Sequence, residues 1–299
     1  MQKILITGSN GLLGQKLVYK LLKENTHEII ATARGENRLK VKEGYKFISL
    51  DITNEKDVDE VISTIKPDVV INTAAMTNVD QCEAEMEMAD LLNVQAVQFI
   101  VDACIKNKVF LVHLSTDFIF DGVDGPYKET AEANPLSFYG MTKLKAEQII
   151  LESKVKAAIL RTVLVYGIVD DMSRSNIVLW AKGAFEKGTP INVVDDQFRT
   201  PTLAEDLADG CMLAADQKIT GIFNISGKDF MSIYELVERV GKFWNLDTSN
   251  MTKVSSDTLN QPAKRPPITG FVLNKAMGIL GYNPHSFEEG LEVVKKQIE

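Results

Sequence analysis

Short runs of aliphatic and β-branched residues alternate along this chain with longer stretches in which apolar positions recur every three or four residues. Lys3-Ile4-Leu5-Ile6-Thr7 predicts a strand, and residues 12–23, with Leu13, Leu17 and Leu21 on one face, predict a helix. Residues 28–33 read as a second strand and 57–65 as a helix that Pro67 stops. A strand at 69–72, a long helix at 86–106, a strand at 109–115, a helix at 142–153 and a strand at 157–166 follow. Such alternation implies right-handed βαβ crossovers and a parallel sheet covered by helices on both faces. The predicted fold class is α/β, a doubly wound parallel sheet with a smaller C-terminal lobe.

Beyond Tyr166 the alternation loosens. Residues 170–176 predict a polar loop, followed by an apolar helix through Trp180 and Phe185. Residues 248–270, rich in Ser, Pro, Asn and Lys, read as irregular structure over a cleft. The expected division is 1–165 and 166–299, with part of the second segment, about 200–228, returning to the first. The 299 residues, 45% hydrophobic and 25% charged, fit a globular chain. A net charge of −8 and a pI near 5.1 argue against nucleic acid, and Arg38-Leu39-Lys40-Val41-Lys42 reads as a solvated loop. No apolar run approaches the length of a membrane span, and the first strand is too short for a signal segment. Three separated cysteines and three separated histidines give neither a disulfide framework nor a zinc site, so no metal is expected. The expectation is a reduced, cytoplasmic protein.

Gly8-Ser9-Asn10-Gly11-Leu12-Leu13-Gly14 follows the first strand and opens the first helix. In that setting glycines serve the tight turn, the close approach of backbone to a pyrophosphate, and helix–strand packing. The helix N-terminus offers free N–H groups to the phosphates. This predicts a dinucleotide-binding Rossmann domain at 1–165. An acid after the second strand would bind a ribose 2′-hydroxyl, whereas a basic residue accommodates a 2′-phosphate. The sequence there reads Ala33-Arg34-Gly35, so Arg34 favours NADP(H) over NAD(H).

Tyr139-Gly140-Met141-Thr142-Lys143 places a phenol and an ammonium at i and i+4, on one helical face. Carbonyl reduction needs a proton donor beside the oxygen as hydride reaches carbon. A phenol with a pKa near 10 is slow in that role. An ammonium about 4–5 Å away is worth roughly 3–4 kcal/mol at an effective dielectric near 20, a depression of about two to three units. Tyr19-Lys20-Leu21-Leu22-Lys23 matches the same spacing, but it lies in the first helix, behind the phosphate loop, where packing is the expected role.

The spacing GxxGxxG resembles the extended short-chain dehydrogenase/reductase superfamily. That resemblance places Asp51 and Ile52 beside the adenine, and Ala74, Ala75 and Thr77 along the cofactor, with Gly8, Asn10, Gly11, Leu12, Leu13 and Gly14 at the pyrophosphate. It also implies that Thr116 hydrogen-bonds the substrate carbonyl, and that Asn93 helps hold Lys143 and a water relay. Longer phrases resemble dTDP-4-dehydrorhamnose reductases, among them residues 72–80, 115–122, 161–167, 196–202, 221–227 and 264–266. They imply a nucleotide-diphospho-4-keto-sugar substrate, reduced to a product such as dTDP-L-rhamnose. Val79, Asp80, Phe118, Leu164, Arg199 and Arg265 would contact it, with Arg265 and Arg199 at the pyrophosphate. Phe118 stands where that family usually has tyrosine, and Leu164 where it has tryptophan. Several phrases also resemble the regulatory beta subunit of methionine adenosyltransferase, which binds NADP(H) without being the catalyst of its complex. The small-molecule reading is compatible with a homodimer.

Overall fold

In a computed structural model of the chain, describing residues 1–171, 176–259 and 261–299, β1 (Gln2–Thr7) lies within a seven-stranded parallel sheet. α1 (Leu12–Glu24) leads to β2 (His27–Ala33) and then β3 (Lys46–Ser49) on one side. α2 (Glu55–Ile65) crosses to β4 (Val69–Asn72) on the other side. From there α3 (Val79–Ala84), α4 (Met86–Asp90), a π-helical turn at Leu91–Gln95 and α5 (Ala96–Asn107) lead to β5 (Phe110–Thr116). α6 (Phe138–Glu152) and β6 (Ala157–Thr162) complete this first run, and β7 (Val165–Tyr166) leaves the sheet.

The second lobe holds α7 (Ile177–Glu186), β8 (Ile191–Val194), β9 (Phe198–Arg199) and β10 (Thr202–Leu203). α8 (Ala204–Gln217) and β11 (Gly221–Asn224) then go back to the large sheet, where β11 pairs in parallel with β6. The chain ends with β12 (Met231–Ser232), α9 (Ile233–Phe243), β13 (Met251–Val254) and α10 (Phe287–Ile298). The sheet order is β11-β6-β5-β4-β1-β2-β3.

The central strands are apolar on both faces because both are covered. Ile4, Ile6, Val69, Ile71, Phe110 and Val112 pack under α1 and α8, while Leu5, Val70, Leu111 and Ile159 pack under α2, α5 and α6. A separate cluster of Tyr166, Val178, Phe185, Leu236, Val240, Phe287 and Leu291 forms the core of the second lobe.

Four local features differ from the sequence expectation. The helix expected at 142–153 begins at Phe138, because the Ser137 hydroxyl accepts the Gly140 N–H at 3.2 Å and Glu83 accepts the Phe138 N–H at 2.7 Å. The strand expected through Tyr166 breaks at Leu164, whose φ of 39° is left-handed. β13 lies inside the supposedly irregular 248–270 and pairs in parallel with β8. The long helix is interrupted by the π turn carrying Asn93. By length and hydropathy, Met86–Asn107 would suffice to cross a membrane, yet Ala96, Val97, Ile100, Val101 and Cys104 are core residues against the sheet. Of the predicted polar loop 170–176, residues 172–175 lie outside the described residues.

Candidate active site

A cavity of about 640 Å³ opens between the C-terminal ends of the central strands and the second lobe. This is where open α/β sheets bind ligands. One wall is the start of α1: Gly11, Leu12, Leu13 and Gly14 line it, and no side chain caps that helix. By contrast α2, α6 and α9 are capped by Asn54, Ser137 and Ser232. The uncapped N–H groups and positive dipole end make an anion cradle. Two glycines are required for it. Gly8 has φ 68°, and a Cβ on Gly14 would come within 2.4 Å of the Gly8 carbonyl oxygen and 2.6 Å of Ser9 Cα. Geometry and dipole therefore fit a dinucleotide pyrophosphate.

Of the other expected cofactor residues, two line the cavity and the rest lie off it. Ala75 and Thr77 line the cavity; Ala74 lies beside them and receives its alignment from the Thr7 hydroxyl, 3.4 Å from its N–H. Asn10 does not line the cavity. Its side chain donates to the Glu36 carbonyl at 2.8 Å and accepts the Arg38 N–H at 2.9 Å, tying the glycine loop to the segment that carries Arg34. Arg34 is exposed, and Ile52 is buried in the core. Asp51 feels an upward pull from burial, but the Thr53 hydroxyl and N–H, with Arg34 nearby, hold its carboxyl below the usual range.

Thr116, Tyr139 and Lys143 meet on the opposite wall. Thr116 ends β5, and the early start of α6 puts Tyr139 and Lys143 one turn apart on the helix. Tyr139 is 8% exposed and Lys143 3%. The expected depression of the phenol does not occur: burial pushes Tyr139 up, with Asp117 and Cys82 adding to it, while the Thr116 hydroxyl opposes. Burial also drives Lys143 down to about 8, against the pull of Glu147 and Cys82. For both groups burial is the largest effect. The phenol is thus held as the neutral proton donor.

Asn93 lies behind this wall rather than on it. Its Oδ1 accepts the Met76 N–H at 2.9 Å, and its Nδ2 donates to the Met76 carbonyl at 3.0 Å and to Thr142 Oγ1 at 3.1 Å. The amide pins the segment after β4 to α6.

On the substrate side Val79, Phe118, Leu164, Arg199 and Arg265 line the cavity. Arg265 makes a bidentate pair with Asp80, 2.7 and 3.1 Å, and donates to the Ala263 carbonyl at 3.0 Å. Asp80 sits behind it, its carboxyl held low by that guanidinium. Arg199 has a different role from the one expected. It is 3% exposed and donates to the carbonyls of Phe198, Pro267 and Pro266 at 2.7, 3.0 and 2.7 Å, with Nε 3.7 Å from Asp117. A fork so committed positions the 266–267 backbone, leaving Arg265 as the phosphate candidate. Tyr19, the duplicate of the motif, does more than pack: its hydroxyl bonds to the Asp170 carboxylate and accepts the Lys40 N–H at 3.1 Å.

Sequence reasoning missed Asp117 and the lining residues of the second lobe, Trp180, Asn192, Gln197, Leu259 and Gln261 among them. Asp117 directly follows Thr116 and is 2% exposed; its neighbours Thr116, Thr269 and Arg199 give it partners that no local pattern reveals. Trp180, 42% exposed on an otherwise apolar helix, carried a usable signal.

Comparison with known proteins agrees with this architecture. The dTDP-4-dehydrorhamnose reductase of Aggregatibacter actinomycetemcomitans is 30% identical over 100% of both chains. The methionine adenosyltransferase 2 subunit beta of Xenopus laevis is 33% identical over 86% of this chain and 76% of its own. The crystal structure of the Bacillus anthracis dTDP-4-dehydrorhamnose reductase in complex with NADP superposes with a TM-score of 0.86, at 28% identity, over 99% of this chain and 100% of that one. The model of the RmlD substrate binding domain matches residues 1–299. With the whole length matched and the parallel sheet in place, the chain belongs to the RmlD substrate binding domain family, as an oxidoreductase of dTDP-4-dehydrorhamnose reductase-like type.

Proposed function

We propose that the protein reduces the 4-ketone of a nucleotide-diphospho sugar with NADPH, and that dTDP-4-dehydro-L-rhamnose is the substrate to test first. The observation that carries this reading is the meeting of Thr116, Tyr139 and Lys143 on one wall of a cavity whose other wall is the uncapped start of α1. NADPH, when bound along the glycine loop, supplies the hydride.

The chain's own residues supply the rest. Gly11 to Gly14 hold the pyrophosphate through backbone N–H groups. Thr116 and Tyr139 orient the sugar carbonyl oxygen, and Tyr139 gives it a proton as hydride reaches carbon. Lys143 reprotonates the phenolate. Arg34 offers a guanidinium to a 2′-phosphate, which favours NADPH over NADH. Arg265 exchanges its carboxylate partner Asp80 for the substrate pyrophosphate, a fork-to-phosphate contact that arginine makes well.

The test is loss of NADPH absorbance with dTDP-4-dehydro-L-rhamnose, then with other 4-keto sugar nucleotides. Turnover of any one supports the reading. A second reading, an NADP(H)-binding regulatory subunit of the methionine adenosyltransferase beta type, is favoured by the 33% identity to the Xenopus protein. A chain that binds NADPH but reduces none of the panel moves that reading to the front.

A further inference from the structure

His113 on β5 is 1% exposed and has no role in the chemistry just described. Its Nδ1 lies 3.1 Å from Asn72 Nδ2, and Asn72 Oδ1 accepts the Thr7 hydroxyl at 2.6 Å. Because a hydroxyl donates to the amide oxygen, the amide N–H is turned toward the ring. Nδ1 then accepts, and the ring proton sits on Nε2. That Nε2–H has no partner in the protein. Ser115, two residues on and 3% exposed, has a hydroxyl that is equally unpartnered.

Both side chains share a sheet face with Leu111, the face covered by Ala146 and Ile150 of α6. Lys143, 3% exposed, is on that helix and adds to the effect of burial in keeping His113 neutral. Leaving a buried donor unpaired is costly, and native proteins usually satisfy such groups with a protein partner or an internal water. Asn93 is not available for this purpose, since its amide is spent on Met76 and Thr142.

We propose, building on the reductase reading, that His113 and Ser115 are positioning residues for Lys143: the Nε2–H and the hydroxyl hold one internal water that Lys143 shares. The chain Thr7–Asn72–His113 then runs from the edge of the glycine loop to the catalytic helix. The charged or titratable groups acting on Lys143 are Glu147 on α6 and Cys82 on α3, and Lys143 in turn acts on His113 on β5, with Tyr139 one turn before it on its own helix.

The experiment combines kinetics with ¹⁵N NMR of the whole protein. His113→Leu should lower kcat about tenfold, leave KM and NADPH affinity within twofold, and shift the pH dependence of kcat. His113→Gln, which keeps an N–H donor, should recover most of the rate. A histidine that serves only packing would instead lower Tm with kcat and the pH profile unchanged, and that result overturns the proposal. In the native protein, with His27 and His285 the other two histidines, the ring of His113 should remain an Nε2–H tautomer from pH 5.5 to 9. Its nitrogen shifts should move in Lys143→Met. A ring that titrates near pH 6.5, carries its proton on Nδ1, or ignores Lys143→Met also overturns it. The NMR arm needs no turnover, so it decides this site even if the native protein reduces no sugar and the reductase reading falls.

Discussion

Replacing Glu147 with glutamine should both destabilise the protein and move the basic limb of its activity. Glu147 and Arg161 form a bidentate pair at 2.6 and 2.9 Å, with side chains 1% and 5% exposed, joining α6 to β6. Arg161 also donates to the Glu129 carbonyl at 3.0 Å and lies over the Phe120 ring, 5.4 Å from its centroid. The guanidinium cannot leave this site, so Glu147→Gln strands a buried charge at a cost of about 3–5 kcal/mol. With an unfolding entropy of about 2.1 cal/mol/K per residue, a chain of 299 residues loses roughly 5–8 °C of Tm. The double replacement Glu147→Leu with Arg161→Met should restore most of that loss, because no charge remains to be neutralised.

The kinetic half follows from Lys143. Burial lowers its ammonium to about 8 while Glu147 raises it, so removing the carboxylate lets the ammonium titrate lower still. A step that needs the ammonium is lost as pH rises through that value. The basic limb of kcat, near pH 8 in the native protein, should therefore move to lower pH in Glu147→Gln. Thermal denaturation and a pH–rate series decide the matter. A Tm change under about 2 °C would show the pair to be worth little, and an unmoved basic limb would refute the link to Lys143.

Tyr139→Phe should lower kcat about 10²–10⁴-fold with NADPH affinity retained, while Tyr19→Phe keeps turnover within about twofold and loses about 1 kcal/mol of stability with its Asp170 contact. Parent-like turnover by Tyr139→Phe would remove it from the chemistry. NADPH should bind at least tenfold more tightly than NADH, about 1.4 kcal/mol, and Arg34→Ala should erase most of the difference in a titration calorimeter. Arg265→Lys should weaken sugar-nucleotide binding and spare NADPH, since a point charge lacks the bidentate fork. Arg199→Lys should instead lower Tm by releasing the Pro266 and Pro267 carbonyls, and unchanged stability would contradict that role.

The large sheet was legible because strands such as Val69-Val70-Ile71 are buried on both faces and read as unbroken apolar runs. The glycine loop was legible for a different reason: its spacing is fixed by backbone contacts such as Gly14 on Gly8. Helix ends were not, since the start of α6 depends on Glu83, 55 residues away from Phe138. β13 escaped notice because only Met251 of its four residues is buried, which leaves no alternation to read. The π turn left no pattern at all. Arg199 was assigned to a ligand because a guanidinium in a motif has the same letter whether it faces a phosphate or a carbonyl.

Two aspartate–arginine pairs flank the substrate side, and burial separates their uses. Asp117 and Arg199 are 2% and 3% exposed. Burial raises the one and lowers the other, so each is held charged only by its fixed partners, Thr116, Thr269 and three backbone carbonyls among them. Such a pair cannot trade partners without stranding a charge. Asp80 and Arg265, with side chains 36% and 19% exposed, face water, which keeps the cost of exchanging one anion for another small. The buried pair therefore anchors the 266–267 backbone, and the exposed pair keeps the guanidinium of Arg265, the residue before it, at the cavity, where the proposed exchange of carboxylate for pyrophosphate costs little. Each guanidinium makes three hydrogen bonds, so the difference between the fixed and the exchangeable arginine lies in burial and not in the number of donors the fold has used.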